Sequence, residues 1–189
     1  MILFIDACAR SNSRTRELAE VLLKKLGNYE SVNLYSENIP QLNEQLVNKR
    51  ISDSEKKDFT DTFYKYAKQF RDADGIVIAA PYWDSSFPAS LKNYIEQVCV
   101  VGLTFGYSEN GNPIGFCKAK KLYYVTTSGG TIYDRSFGFG YIQNLAQNIF
   151  GIKECLFFSA ENLDEYGSDT TEIMEEAKKR IIKSIENKQ

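Results

Sequence analysis

The stretch Ile76 to Val98, IVIAAPYWDSSFPASLKNYIEQV, leaves this chain few ways to fold. Ile76 to Ala79 is a short, uninterrupted apolar run rich in β-branched residues, the pattern of a strand buried on both faces of a parallel sheet. Pro81 cannot donate to a strand ladder, so the strand stops there, and Tyr82 and Trp83 fall where the chain leaves the sheet. After Pro88, the residues Leu91, Tyr94, Ile95 and Val98 recur at helical spacing, with Lys92, Asn93, Glu96 and Gln97 on the opposite face. A strand, an aromatic loop and a helix follow one another. In open parallel sheets ligands bind beyond the carboxyl ends of the strands, so rings at that place point to half of a pocket; the plain alternative is aromatics packed under a neighbouring loop.

The same alternation runs through the chain. Ile2 to Ile5 reads as the central first strand, followed by a helix carrying Leu18, Val21, Leu22 and Leu26, capped by Ser13 and ended by Gly27-Asn28. Ser31 to Leu34 reads as a short second strand, and Glu37 to Ile51, polar and interrupted by Pro40, as a surface excursion. Ser54 to Arg71 carries Phe59, Phe63, Tyr66, Ala67 and Phe70 on one face, which predicts a single amphipathic helix before the turn at Asp74-Gly75. Later come a strand at Leu122 to Thr126, a helix from Tyr141 to Phe150 stopped by Gly151, a strand at Cys155 to Phe158 and a closing helix from Thr171 to Ile185. The order βαβαβαβαβα predicts an α/β fold of three layers, with five parallel strands in the order 2-1-3-4-5, forming one domain over residues 1–189.

Charge and composition remove whole classes of function. The net charge of −2 provides no basic field for nucleic acid or an acidic membrane surface. Histidine is absent, which excludes histidine-dependent triads, histidine-ligated zinc and imidazole acid–base chemistry. Cys8, Cys99, Cys117 and Cys155 stand apart with no CxxC spacing, so they encode neither a disulfide framework nor a metal cluster and are expected as reduced thiols. Asp6 ends the first apolar run far short of a signal sequence and no stretch approaches membrane-spanning length, so a soluble, cytoplasmic protein is expected, with no metal and no side chain as its catalyst.

Three loops carry the chemistry. ACARSNSRT joins the first strand to its helix and puts Arg14 and Arg16 into the first helical turn, where the macrodipole disfavours cations. An anion there would explain the placement, held by amides of the helix start, the hydroxyls of Ser11, Ser13 and Thr15, and one or two guanidinium groups; the plain alternative is a Ser-capped helix with solvated arginines. The second loop is the aromatic one. The third, TSGGT, has Gly129-Gly130 at a strand's carboxyl end, allowing close backbone approach to a flat ligand, although a simple turn would use the same glycines. Residues 102–121 add a protruding hairpin around Asn110-Gly111, whose Phe105, Tyr107, Ile114 and Phe116 need a second subunit or a ligand to cover them. A phosphate at one end and a flat polar ring at the other describe flavin mononucleotide (FMN), while the lack of a GxGxxG or P-loop pattern argues against a dinucleotide or a nucleoside triphosphate as resident cofactor.

SRT at 13–15, APYW at 80–83, SLKNYIE at 90–96, TFGYSENG at 104–111 and TTSGG at 126–130, in this order and spacing, resemble the flavodoxin-like NAD(P)H:quinone oxidoreductases, especially the FMN-dependent NADH:quinone oxidoreductase and azoreductase family. The resemblance covers most of the chain. It implies a flavodoxin-like fold and an FMN-binding homodimer in which NADH or NADPH reduces the flavin, leaves, and is replaced by a quinone or azo acceptor. By matching positions, Ser13, Arg14 and Thr15 would hold the phosphate, with either Arg10 or Ser11 in place of an earlier phosphate contact of the family, Tyr82, Trp83, Asp84 and Ser85, next to Pro81, would border the flavin, and Thr127, Ser128, Gly129 and Gly130 would contact the ring edge. Phe105, Tyr107 and Tyr133 would meet the acceptor. Asp84 stands where the family often has Asn and Ser128 where some members have Arg; Asp84 either faces the flavin or caps the helix opened near Pro88. Two other readings stand beside the enzyme: a flavodoxin-type electron carrier without its own pyridine-nucleotide site, and a cofactor-free binding domain.

Overall fold

The computed structural model describes residues 1–186. Strands β1 (Ile2–Asp6), β2 (Tyr29–Asn33), β3 (Gly75–Ala79), β6 (Lys121–Thr127) and β7 (Glu154–Ala160) form one sheet in the order β2-β1-β3-β6-β7, all neighbours parallel. The two strands skipped in that order, β4 (Phe105–Tyr107) and β5 (Pro113–Gly115), make a separate antiparallel hairpin, so the main sheet has the expected 2-1-3-4-5 arrangement. Alternate residues of the buried strands face opposite layers. Phe4, Val77 and Val125 pack with Leu18, Leu22 and Leu23 of α1 (Arg14–Leu26) and with Met174, Ala177 and Ile181 of α6 (Thr170–Glu186). Leu3, Ile5, Ile76, Ile78 and Leu122 face the other side, against Tyr66 and Phe70 of α3 (Lys65–Asp72), Leu91, Tyr94 and Val98 of α4 (Ala89–Val98), and Ile142, Ala146 and Phe150. The last three residues belong to a helical stretch in which α5 (Tyr141–Leu145) is flanked by π-helical turns at Ser136–Gly140 and Ala146–Phe150, and Gly151 closes it at φ 78°.

Two expectations fail between residues 37 and 71. The polar excursion contains a helix, α2 (Glu44–Lys56), capped by the Asn43 side chain and ended by Lys57 at φ 54°. None of its residues is fully buried, so no apolar stripe announces it. It is anchored by Arg50, which donates to the carbonyls of Glu96 and Gln97 at the end of α4. The single helix expected from Ser54 to Arg71 is broken, because Lys57 terminates α2, and Asp61 caps a 3₁₀ turn at Thr62–Tyr64 before α3 starts. Phe59, Phe63 and Tyr64 instead close a small separate core with Val100 and Leu103.

The hairpin sits at the amino ends of the strands. Lys118 N–H donates to Arg71 O at 2.8 Å, where α3 ends, and Gly115 lies against the backbone of Phe150 and Gly151. Phe105 is buried in the hairpin's base, whereas Tyr107, Ile114 and Phe116 remain exposed. All loops that follow strand carboxyl ends lie at the opposite edge of the sheet.

Candidate functional site

One open cleft gathers those loops. Ala9, Arg10, Asn12, Ser13, Arg14 and Thr15 come from the β1–α1 connection, Pro81, Tyr82 and Trp83 follow β3, Thr127, Ser128 and Gly129 end β6, and Asp164 follows β7. The register puts Asp6, Asn33 and Ala79 side by side, which brings the loops after β1 and β3 out at the same level.

At the first loop, Ser13 is extended (φ −72°, ψ 122°), and its Oγ accepts from Arg16 N–H at 3.3 Å, an N-cap. The N–H groups of Ser13, Arg14 and Thr15 have no acceptor among the described residues, as expected for the first turn of a helix. Arg14 lies along the cleft, donating to Asp164 Oδ1 at 2.9 Å and to Leu163 O at 3.3 Å. Arg16, expected from its position either to meet an anion or to stand in solvent, does neither: its guanidinium turns inward onto the buried carboxylate of Asp6 at 2.7 Å. Thr15 Oγ1 lies 2.6 Å from Thr127 Oγ1 in a buried hydroxyl pair that uses one of the two protons.

In the aromatic loop Asp84 and Ser85 both have positive φ, 50° and 64°. Trp83 and Ser86 exchange two backbone hydrogen bonds, at 3.0 and 2.8 Å, around them. Positive φ at both central residues is the signature of a type I′ turn, which favours Asp, Asn and Gly, and this turn is what selects Asp84. Helix α4 starts behind Pro88 with no side-chain cap, so Asp84 does not cap it, and neither Asp84 nor Ser85 lines the cleft. The turn is pinned by Tyr82 N–H donating to Thr127 O at 3.0 Å and by Ser86 Oγ donating to Phe137 O at 2.7 Å.

In the glycine loop, the space at Gly129 is taken from within the chain: a Cβ there would lie 2.7 Å from Asp164 Oδ2, and Asp164 N–H donates to Gly129 O at 2.9 Å. The glycine thus admits Asp164 to the rim. The N–H groups of Gly129, Gly130 and Thr131 have no acceptor among the described residues, while Ser128 Oγ donates to Gly130 O at 2.5 Å.

Of the residues singled out in the sequence, Arg10, Ser13, Arg14, Thr15, Pro81, Tyr82, Trp83, Thr127, Ser128 and Gly129 meet at the cleft. Ser11, Asp84, Ser85 and Gly130 belong to the same loops but stand outside its lining. Tyr133 shares the cleft's edge, fully turned to solvent at 93% exposure, and Phe105 and Tyr107 lie at the opposite edge. Asp164 was missed; its only sequence signal is its place in the loop after the last strand, which the topology brings to the same edge. Burial pushes the Cys8 and Cys117 thiols up to about 12 and those of Cys99 and Cys155 up to about 11, so none offers a thiolate nucleophile near neutral pH.

The donor set fits a phosphate monoester carrying a flat polar ring. Open amides at the start of α1 and the Ser13 hydroxyl face the cleft from the first loop, Arg10 and Arg14 line it, and the open amide of Gly129 faces it from the end of β6. Asp164, the only carboxylate in the lining among the described residues, is compensated by Arg14.

A family model described as a flavodoxin-like fold matches residues 1–185. The chain is 37% identical over 155 residues to an FMN-dependent NADH:quinone oxidoreductase of Clostridium perfringens, covering 80% of this chain and 77% of that one. It is 34% identical over 187 residues to FMN-dependent NADH:quinone oxidoreductase 2 of Clostridium acetobutylicum, covering 92% of each. Among solved structures, its fold matches an FMN-dependent NADH-azoreductase from Bacillus anthracis in complex with FMN, with a TM-score of 0.81 at 19% identity, over 98% of this chain and 97% of that one.

Proposed function

The chain belongs to the flavodoxin-like fold family that includes the FMN-dependent NADH:quinone oxidoreductases, and from that premise we propose that it passes two electrons from NADH or NADPH through FMN to a quinone, azo or similar small acceptor, donor and acceptor using the site in turn. The observation that carries this reading is the cleft's supply of unpaired donors from the first loop and from Gly129, next to the aromatic wall of Tyr82 and Trp83.

FMN supplies the hydride chemistry that no side chain here can perform. The chain's own work is binding and placement. The Ser13 hydroxyl and the amides of Arg14 and Thr15 would donate to the phosphate, with Arg10 beside it to offset part of its charge. The open amide of Gly129 suits a carbonyl acceptor on the ring edge. Pro81, Tyr82 and Trp83 keep water from one side of the cleft, held in place by the Asp84-Ser85 turn. The deciding experiment is anaerobic mixing of the FMN-loaded protein with NADH and with NADPH. Rapid bleaching of the flavin, reversed by a quinone, is expected; a flavin that neither nucleotide bleaches would make the protein an electron carrier.

Ser13→Ala should weaken FMN binding by about 1.5 kcal/mol, roughly tenfold, the scale of one hydrogen bond to a charged group. Fluorescence titration checks this, and unchanged affinity removes Ser13 from the phosphate site.

The assembly belongs to the proposal as well. Tyr107, Ile114 and Phe116 form an exposed apolar tip far from the chain's own cleft, with Phe105 supporting Tyr107 from the base at a ring separation of 5.7 Å. A two-fold homodimer would cover that tip and bring Tyr107 toward the partner's acceptor, opposite Tyr133. Sedimentation should give a dimer at assay concentration, and an active monomer would reject it. No helix among the described residues is long and apolar enough to cross a membrane. A pyridine-nucleotide donor and cysteines whose spacing encodes no disulfide framework support a cytoplasmic location.

A further inference from the structure

Arg16 stands in the first turn of α1, yet its side chain reaches back beneath the loop that precedes it. Nε donates to Asp6 Oδ2 at 2.7 Å, one terminal nitrogen donates to Arg10 O at 2.8 Å and Ser11 O at 3.0 Å, and the other donates to Cys8 O at 2.8 Å. Three of these four acceptors are carbonyls of the β1–α1 loop itself. In a planar trans peptide the C=O and the following N–H point in opposite directions, and the described chain contains no cis peptide. Drawing the carbonyls of Cys8, Arg10 and Ser11 onto the guanidinium therefore turns the N–H groups of Ala9, Ser11 and Asn12 away from it. Ala9 and Asn12 line the cleft, and none of these three N–H groups has an acceptor among the described residues.

The positive charge of Arg16 does not account for this arrangement. Asp6 is buried and compensates it directly, while also accepting from Cys8 N–H at 3.0 Å and Asn33 Nδ2 at 3.3 Å. What remains is geometry: a planar fork with its donors fixed in direction, spanning four acceptors at once.

Resting on the FMN reading above, we propose that Arg16 is the positioning residue of the phosphate loop, holding the loop's carbonyls inward so that its amides face the phosphate monoester. It does not touch the phosphate. Its contribution is that the donors are already aimed before the ligand arrives.

The test titrates FMN, and riboflavin as the same ring without the phosphate, into the full chain, following flavin fluorescence. Arg16→Lys keeps the charge, but one ammonium cannot serve four acceptors spread along a loop. Arg16→Lys and Arg16→Gln should each bind FMN about ten- to a hundredfold more weakly, with riboflavin affinity kept within roughly twofold. Arg16→Gln leaves the Asp6 carboxylate buried and unpaired, so the double variant Asp6→Asn/Arg16→Gln, which removes that charge, carries the test if the single variant does not fold; it should show the same FMN-selective loss. The phosphorus NMR line of bound FMN should also shift between wild type and variants. Wild-type FMN affinity in Arg16→Lys would overturn the proposal in favour of simple charge, and equal losses of FMN and riboflavin would overturn it in favour of a general structural role. A wild-type protein that binds neither flavin would overturn the FMN reading itself, a separate outcome from either.

Discussion

Gly115→Ala is expected to lower stability by about 3 kcal/mol, a fall of roughly 6 to 12 °C in Tm for a chain of this size. A Cβ at this position would lie 2.0 Å from the carbonyl carbon of Phe150, 2.1 Å from its oxygen and 2.2 Å from the nitrogen of Gly151. All three are backbone atoms, so no rotamer change relieves the overlap. Nor can either partner yield cheaply. Phe150 is buried, its ring 4.9 Å from that of Phe70, and Gly151 holds the left-handed turn that ends its helix. On the other side, Gly115 pairs with Phe105, and Phe116 N–H donates to Thr104 O at 2.9 Å. Either the hairpin lifts from the helix end or the helix end moves. Gly111→Ala is the control: it also sits in the hairpin, at φ 78°, but its Cβ would meet nothing within 4 Å, so only backbone strain of about 1 kcal/mol is expected. Because the hairpin and the cleft occupy opposite edges of the sheet, the folded Gly115→Ala protein should keep its FMN affinity. Calorimetry showing both variants within about 2 °C of each other would mean that the close approach carries no weight.

What was legible in the sequence follows from what periodicity records. The runs at Leu3 to Ile5 and Ile76 to Ala79 are buried on both faces, and the helices flanking the sheet at α1, α3, α4 and α6 each carry an apolar stripe, so strand order and layers follow from pattern and crossover handedness. Helix α2 has no such stripe, because a tie such as that of Arg50 to the end of α4 is polar and leaves no periodic trace. The break at Lys57 was hidden by aromatics that kept helical spacing while packing into a different core. At the cleft, the order of the loops points to the candidate site, since topology alone puts the carboxyl ends of β1, β3 and β6 together. Side-chain direction was not readable. Arg14 and Arg16 look equivalent in RTRE, but one lies along the cleft with Asp164 and the other dives to Asp6, a choice set by a carboxylate ten residues earlier on a buried strand. Asp84 likewise takes its role from the turn's handedness.

Thr15 and Thr127 should show strong coupling between the start of α1 and the end of β6. Their Oγ1 atoms lie 2.6 Å apart and both residues are buried, one in the first turn of α1 and the other at the end of β6. Replacing either by Val keeps the shape and leaves the other hydroxyl buried without its partner, a cost of about 2 kcal/mol. The double variant Thr15→Val/Thr127→Val removes donor and acceptor together and should return to within about 0.5 kcal/mol of wild type, an interaction term of the order of 3 kcal/mol or more in the cycle. Flavin affinity should follow a different pattern. Either hydroxyl can donate in the pair, and the one that accepts keeps its own proton for a ligand; Thr15, beside the open amides of the helix start, would present that proton to the phosphate. FMN binding should therefore weaken by about tenfold in Thr15→Val and in the double variant, but not in Thr127→Val. Denaturant unfolding and FMN titration on the same four proteins separate the two roles. Additive losses in stability would show that the hydroxyls do not pair, and unchanged FMN affinity in Thr15→Val would confine Thr15 to tying the helix start to the sheet.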